Sequence, residues 1–193
     1  MNRRACLLLL PLLALFAGCA SAPATPDCTL VGRSGRVCLL APAALPAVRA
    51  THIVEIRRNG HEDTFLGQLQ IDAHALRLAG TSLFGINLFT IVYDGHTIDS
   101  QPPQMKLHPG MLVVMLELTL ADPAELENRL HNLTLKVHTS DHGQVRELFE
   151  RGHLIARIER SDAALAAARI NIEIPADKLS VQMTPIPSGT AQP

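Results

Sequence analysis

Apolar and polar residues alternate with a period of two along most of this chain, and the alternation is interrupted once, near the middle. Residues 51–58 place Ile53, Val54 and Ile56 among polar positions and stop at Asn59-Gly60. An Asn-Gly pair between two strand-like runs predicts a tight hairpin. The return run, 63–71, sets Phe65, Gly67, Leu69 and Ile71 on one face and Leu66, Gln68 and Gln70 on the other. Asp72-Ala73-His74 turns, and 75–79 runs back with Leu76 and Leu78 aligned. The clearest strand is 87–93, with Phe89, Ile91 and Tyr93 on one face and Leu88, Thr90 and Val92 on the other. Asp94-Gly95 predicts another hairpin, returned by 96–100. Alternation resumes in 133–139, 145–150, 153–160, 169–174 and 179–184, with turns at Arg151-Gly152 and Pro175-Ala176-Asp177.

Pro102 and Pro103 open the interruption. From Met111 the period becomes helical: Leu112, Met115, Leu116 and Thr119 share a stripe that Leu120 extends, and Val113, Val114 and Leu118 widen it almost all round. Such a helix is expected to be fully buried. Asp122 then fits an N-cap, with Pro123 in the first turn and Glu125 three residues on, followed by an apolar edge of Leu126 and Leu130. Strands, short helices, then strands predict a mainly β (α+β) domain. We expect a single curved antiparallel sheet with short helices covering one face. Its apolar concave side is either filled by those helices or holds a ligand.

The ends of the chain read differently. Arg3 and Arg4 precede an apolar run from Ala5 to Phe16, then Ala17-Gly18-Cys19. A basic start, an apolar middle and a small-residue cut make a secretory signal. The run is too short to span a bilayer, which takes about 20 apolar residues, and Pro11 would disturb a helix there. A cysteine at the cut looks like a bacterial lipobox. The implied chemistry is diacylation of the Cys19 sulfur, cleavage before it, and acylation of the new amine. The plainer alternative is an ordinary signal with a coincidental cysteine. By resemblance to enterobacterial sorting, Ala20 in place of Asp favours the outer membrane, facing the periplasm. The expected organisation is a signal over 1–18, a lipidated Ala/Pro-rich tether over 19–27, one domain over 28–184 and a loose tail over 185–193.

Losing Arg3 and Arg4 takes the formal charge from −1 to −3. That argues against a nucleic-acid partner, which calls for a basic stripe, and against an electrostatic grip on anionic lipid. Of the four cysteines, Cys6 leaves with the signal and Cys19 carries lipid. Cys28 and Cys38 remain, flanking a turn at Gly32-Arg33-Ser34-Gly35. A hairpin there allows a disulfide in an oxidising compartment, the alternative being two buried thiols. Zinc is not expected, since no second ligand pair lies nearby.

Catalytic patterns are missing. Neither Gly32-Arg33-Ser34-Gly35 nor Gly80-Thr81-Ser82-Leu83-Phe84-Gly85 has nucleophile-elbow spacing. The nine histidines are scattered; only His138 and His142, with Asp141, cluster, in an apparent turn. No zinc-protease, phosphate-loop or dinucleotide fingerprint occurs. Glu62-Asp63 reads as a wet hairpin end, and Glu125 with Glu127 as the wet face of a helix. No enzyme activity, cofactor or metal is expected. The remaining candidate is apolar: Phe65, Leu83, Phe84, Phe89, Ile91, Tyr93, Leu112 and Leu116 as the lining of a cavity for a lipid or acyl chain. The plain alternatives are a filled core for the helix and a buried corner for Leu83-Phe84. The latter pair, in a glycine-hinged loop, also fits a mobile flap or a membrane-touching tip.

The segment Gly80 to Gly95, above all Leu88-Phe89-Thr90-Ile91-Val92-Tyr93-Asp94-Gly95, resembles a family of bacterial lipoproteins known only as a domain of unknown function. The helix leading to Asp122-Pro123 and the late hairpin Leu148 to Ile158 continue the likeness, which spans about Cys38 to Thr184. The family tends to carry Trp where this chain has Asp122. Its members often lie beside genes for aryl-polyene or fatty-acid-like synthesis. Their fold is similar to LolA and LolB, so the resemblance implies a half-open β-barrel closed by short helices. It implies no catalytic residue. Two functions follow as expectations. One is an outer-membrane lipoprotein that binds or transfers a lipid, acyl or polyene chain, or a lipoprotein's acyl groups. The other is a non-enzymatic docking or structural component with envelope protein partners.

Overall fold

The computed structural model describes residues 28–101, 108–141, 143–161 and 164–186. A short hairpin comes first, β1 (Cys28–Val31) and β2 (Gly35–Cys38). A meander follows: β3 (Val48–Arg58), β4 (His61–Ile71), β5 (Leu76–Thr81), β6 (Asn87–Tyr93) and β7 (Ile98–Ser100). The helices are α1 (Pro109–Leu120) and α2 (Pro123–Glu127). The chain continues through β8 (Leu130–His131), β9 (Thr134–Ser140), β10 (Gly143–Glu150), β11 (His153–Arg160), β12 (Ile170–Ile174) and β13 (Leu179–Pro185). The expected strands are all present; β3, β4 and β10 begin two or three residues earlier than the alternation marks, and β7 is two residues shorter.

Ten strands form one curved antiparallel sheet in the order β7-β6-β5-β4-β3-β13-β12-β11-β10-β9. Two meanders are zipped together where β3 meets β13, from Arg58 opposite Leu179 to His52 opposite Pro185. The sheet keeps two edges, β7 and β9, so it is not a closed barrel. Alternation sets which side chains turn inward. Val54 and Ile56 of β3, Phe65 and Leu69 of β4, Phe89, Ile91 and Tyr93 of β6, and Ile170 and Ile172 of β12 are all buried. The Asn59-Gly60 hairpin forms as expected, both residues at positive φ (51° and 82°), the conformation that suits a two-residue turn between twisted strands.

The expectation of a single sheet needs correction. The β1–β2 hairpin joins β8 in a separate three-stranded sheet. Cys28 faces Cys38 across that hairpin, and the two are disulfide-bonded. The hairpin leaves the main sheet because its second strand finds its partner beyond the helices: Val37 pairs with Leu130, and the Cys38 N–H donates to the Arg129 carbonyl at 3.0 Å. Its tip is tied back to the main sheet by one carboxylate. Glu150 accepts the N–H groups of Arg33 (3.0 Å), Ser34 (2.6 Å) and Gly35 (2.9 Å), and the Ser34 hydroxyl (2.7 Å). These donors hold the Glu150 carboxyl down at about 2.

Ladder registers place four connections at one end of the main sheet: 59–60, 82–86, 151–152 and 175–178. That end carries the candidate site. The disulfide closes a sequence separation of 10, a short loop, so its removal acts mainly on the unfolded chain. Replacing Cys28 and Cys38 with Ala is expected to lower unfolding free energy in urea by about 2–3 kcal/mol while leaving the far-ultraviolet dichroism unchanged.

Candidate functional site

Helix α1 lies against the concave side, and its ends explain why it can. From Val113 to Leu120 every residue is buried, so no face is left for water to satisfy the terminal backbone groups. At the start, the His108 Nδ1 accepts from the Gly110 N–H at 3.2 Å. At the finish the helix has no basic residue of its own, and the sheet supplies two. Arg146 of β10 donates to the carbonyls of Leu118 (2.9 Å) and Ala121 (2.7 Å), and Arg160 of β11 donates to that of Thr119 (3.1 Å). Cations at a helix C-terminus are favoured by the orphan carbonyls there. Burial pushes the Arg146 guanidinium down to about 10, so it stays charged at neutral pH.

Glu117 sits on the other side of the same helix, with no exposed surface. One carboxyl oxygen accepts the Leu40 N–H at 3.1 Å, and the other has no hydrogen-bond partner among the described residues. Burial, partly offset by the Leu40 N–H and by Arg129, pushes its pKa up to about 8. Glu117 therefore acts at neutral pH as a neutral acid that pins α1 to the chain leaving β2.

Beneath α1 lies a cavity of about 80 Å³. Phe65 and Phe89 meet edge to face in its wall, 5.7 Å between ring centres. Leu112, Met115 and Leu116 form its lid, and Ile172, Val181 and Met183 its far side. Gly80 is needed here: a β-carbon would strike the Phe89 ring. His52 is the one ionisable side chain in the lining, and burial lowers its pKa. Its Nε2 donates to the Ala168 carbonyl at 3.2 Å, and the burial disfavours the charged ring. The volume fits about half a dozen water-sized groups, and an apolar cavity of this kind stays dry.

A larger groove of about 760 Å³ opens beside it at the connection-rich end of the sheet. Its floor is apolar, from Leu30, Val31, Leu154, Ile155 and Ala156; its rim carries Arg33, Ser34, Glu150, Arg151, His153 and Asp177. Met111, Met115 and Ile174 line both spaces, so two flexible thioether side chains and one isoleucine form the partition.

Of the residues expected to line a cavity, Phe65, Phe89, Leu112 and Leu116 come together. Ile91 and Tyr93 share their face but lie deeper, 0% and 1% exposed, in solid core. Leu83 and Phe84 are not in the cavity. They stand at the β5–β6 tip, 60% and 93% exposed, beside Ile86 at 61%. The reason is local. The Ser82 N–H donates to the Ile86 carbonyl and the Gly85 N–H to the Ser82 carbonyl, closing a turn that projects past the sheet. This overturns both the cavity assignment and the buried-corner alternative for the pair. Sequence reasoning missed His52, Met111, Met115 and the β12–β13 wall. The signal for His52 was available, since it alternates with Val54 and Ile56 on one strand.

Cys19, the segments 1–18 and 19–27, His142, and the tail from residue 187 lie outside the described residues. Among the described residues no group of His, Cys, Asp or Glu could hold a metal ion. No helix among them is long and apolar enough to cross a membrane.

The buried acid sets a pH dependence. Below its ordinary value of 4.5 Glu117 is protonated in folded and unfolded chains alike. Between 4.5 and about 8 the folded chain keeps the proton and the unfolded chain releases it. Its contribution to stability is therefore full at the acid end and is lost as pH rises through about 8. Glu117→Gln is expected to flatten this slope in urea titrations across that range. At the alkaline end the variant should be more stable than the parent.

No curated protein matches the chain. Among solved structures, the crystal structure at 1.75 Å of a DUF1329 family protein from Desulfovibrio piger ATCC 29098 is similar over 74% of this chain and 86% of its own, with 8% identity and a TM-score of 0.30. That likeness is too distant to bear on function. The model of the family described as "Protein of unknown function (DUF3261)" matches residues 49–187, from β3 through the end of β13. By that match over most of its length, including the helix and the cavity wall just described, the chain belongs to the DUF3261 family.

Proposed function

We propose that this chain is an outer-membrane lipoprotein, anchored through acylated Cys19 and facing the periplasm, that binds an acyl or polyene chain and passes it on. The observation that carries the reading is the contact between the apolar cavity and the open groove across Met111 and Met115. The inner cavity is too small for a whole chain. It suits a chain end, with the rest lying on the apolar floor of the groove and the two methionines swinging aside. Burying a chain contributes about 0.8 kcal/mol per CH₂, enough for capture without any charged contact inside. An open antiparallel sheet with a helix laid into it is consistent with a half-open barrel of the LolA and LolB type, and the lipobox with a membrane anchor. In this reading the gene neighbourhood that the resemblance implies would place the source of the chain in aryl-polyene or fatty-acid-like synthesis.

A docking role is the second reading, and one observation favours it. The exposed tip of Leu83, Phe84 and Ile86 is the most apolar protrusion among the described residues. It would seat in a partner or in the bilayer surface.

Native mass spectrometry of the full-length chain extracted from membranes is expected to show bound lipid, and the chain carrying Cys19→Ser to leave the membrane fraction. Val181→Phe, which fills the inner cavity, is expected to weaken uptake of a fluorescent fatty acid by about tenfold, the equivalent of about two buried methylenes. Full uptake by Val181→Phe, or no lipid in the wild type, would sink the carrier reading. Phe84→Asp separates the two: loss of a crosslinked protein partner with unchanged fatty-acid uptake supports docking.

A further inference from the structure

The inner cavity offers nothing to a charged group. Its lining is hydrocarbon and aromatic, and the His52 imidazole is already committed to the Ala168 carbonyl. Any head group on a bound chain must therefore stay in the outer groove, and the chemistry of that rim decides which head groups are accepted.

Two guanidinium groups stand on the rim, from the tips of two different hairpins: Arg33 between β1 and β2, and Arg151 between β10 and β11. Neither side chain has a hydrogen-bond or ion-pair partner among the described residues. Glu150, next to Arg151 in sequence, lies on the same rim, and both its oxygens already accept hydrogen bonds. One takes the Ser34 and Gly35 N–H groups and the Ser34 hydroxyl, the other the Arg33 N–H. Glu150 thus fixes the loop that carries Arg33 instead of pairing with either guanidinium. The fixing is close: Gly32 has φ +77°, and a β-carbon there would sit 2.8 Å from a Glu150 oxygen. Asp177 is the remaining carboxylate of the groove. The chain as a whole is negative, and Glu150 and Asp177 balance the two arginines on the rim, so any attraction for an anion must come from close contact with the guanidinium groups themselves.

We propose that the groove is the head-group end of the same site and selects a long-chain carboxylate, with Arg33 and Arg151 facing the carboxylate and the tail running past Met111 and Met115 into the inner cavity. The planar guanidinium fork matches a carboxylate in geometry as well as charge. One narrow inner space accepts one chain end, so the amphiphile is single-chained. This assignment rests on the carrier reading above and adds to it a selectivity that apolar burial alone cannot give.

The test uses the full-length chain carrying Cys19→Ser, titrated calorimetrically with dodecanoate, dodecanol, dodecyl phosphate, acetate and inorganic phosphate. Dodecanoate is expected to bind about tenfold more tightly than dodecanol, in line with the strength of hydrogen bonds to charged groups. Acetate and phosphate should not bind measurably. Arg33→Gln with Arg151→Gln should erase the preference while leaving dodecanol affinity and thermal stability unchanged. Because both side chains are exposed, these variants are expected to fold. Arg33→Lys with Arg151→Lys, which keeps the charge, should restore most of the preference. Equal binding of dodecanoate and dodecanol by the parent overturns the proposal and leaves the carrier reading standing. So does an equal loss of both in the double variant. Tighter binding of dodecyl phosphate than dodecanoate overturns the choice of carboxylate, and binding of acetate or phosphate alone overturns the proposal in favour of a free-anion site. Failure of every chain to bind overturns this proposal together with the carrier reading.

Discussion

An apolar helix with no wet face can lie in a sheet only if something inside the protein takes up its terminal backbone groups. Here the sheet does so. Arg146 and Arg160 reach from β10 and β11 to the last carbonyls of α1, and Glu117 in its last turn takes the Leu40 N–H on the opposite side. An unmet buried carbonyl costs about 1–3 kcal/mol, so these contacts decide whether the helix docks at all. Once it is docked, its direction is set: the C-terminal end is held over β10 and β11, and Met111 is left at the end of the sheet where the groove opens.

The cavity is a consequence of that placement. The concave face of a ten-stranded open sheet is wider than one twelve-residue helix can fill. Most of the gap closes with side chains from both layers, which is why Ile91 and Tyr93 are solid core. Among the spaces left open are the small one beneath Leu112 and Leu116 and the larger groove beyond Met111 and Met115. The disulfide hairpin that walls that groove has its turn gathered by Glu150. The same carboxylate that fixes the small sheet therefore shapes the candidate site.

The legible part of the fold was the part governed by local periodicity. A period of two marked the strands, and Asn59-Gly60 and Arg151-Gly152 marked turns whose residues do adopt positive φ. The helical run from Met111 and the Asp122 cap also stand as read, the Asp122 side chain accepting the Ala124 N–H at 2.8 Å. Pairing Cys28 with Cys38 needed only the turn between them. The site was half legible. Phe65, Phe89, Leu112 and Leu116 meet because each lies on an inward face that alternation or helical spacing identifies. Leu83 and Phe84 were misplaced because hydrophobicity was allowed to stand for burial, whereas a closed turn at a hairpin tip has no core to enter.

By itself, then, the sequence determined which residues pair with near neighbours and which face each element turns inward. Steric and hydrogen-bonding preferences over a few residues are enough for that. Only the tertiary structure decided that β3 zips to β13, that the first hairpin joins β8 in a sheet of its own, and that two arginines of the late strands cap a helix some 25 to 41 residues away. Those choices depend on which distant groups can satisfy one another once water is excluded, and no periodicity records that. For the same reason the size of the space under α1 was invisible in the chain: it is the volume left over when two layers of known chemistry meet at a distance that only their joint packing sets.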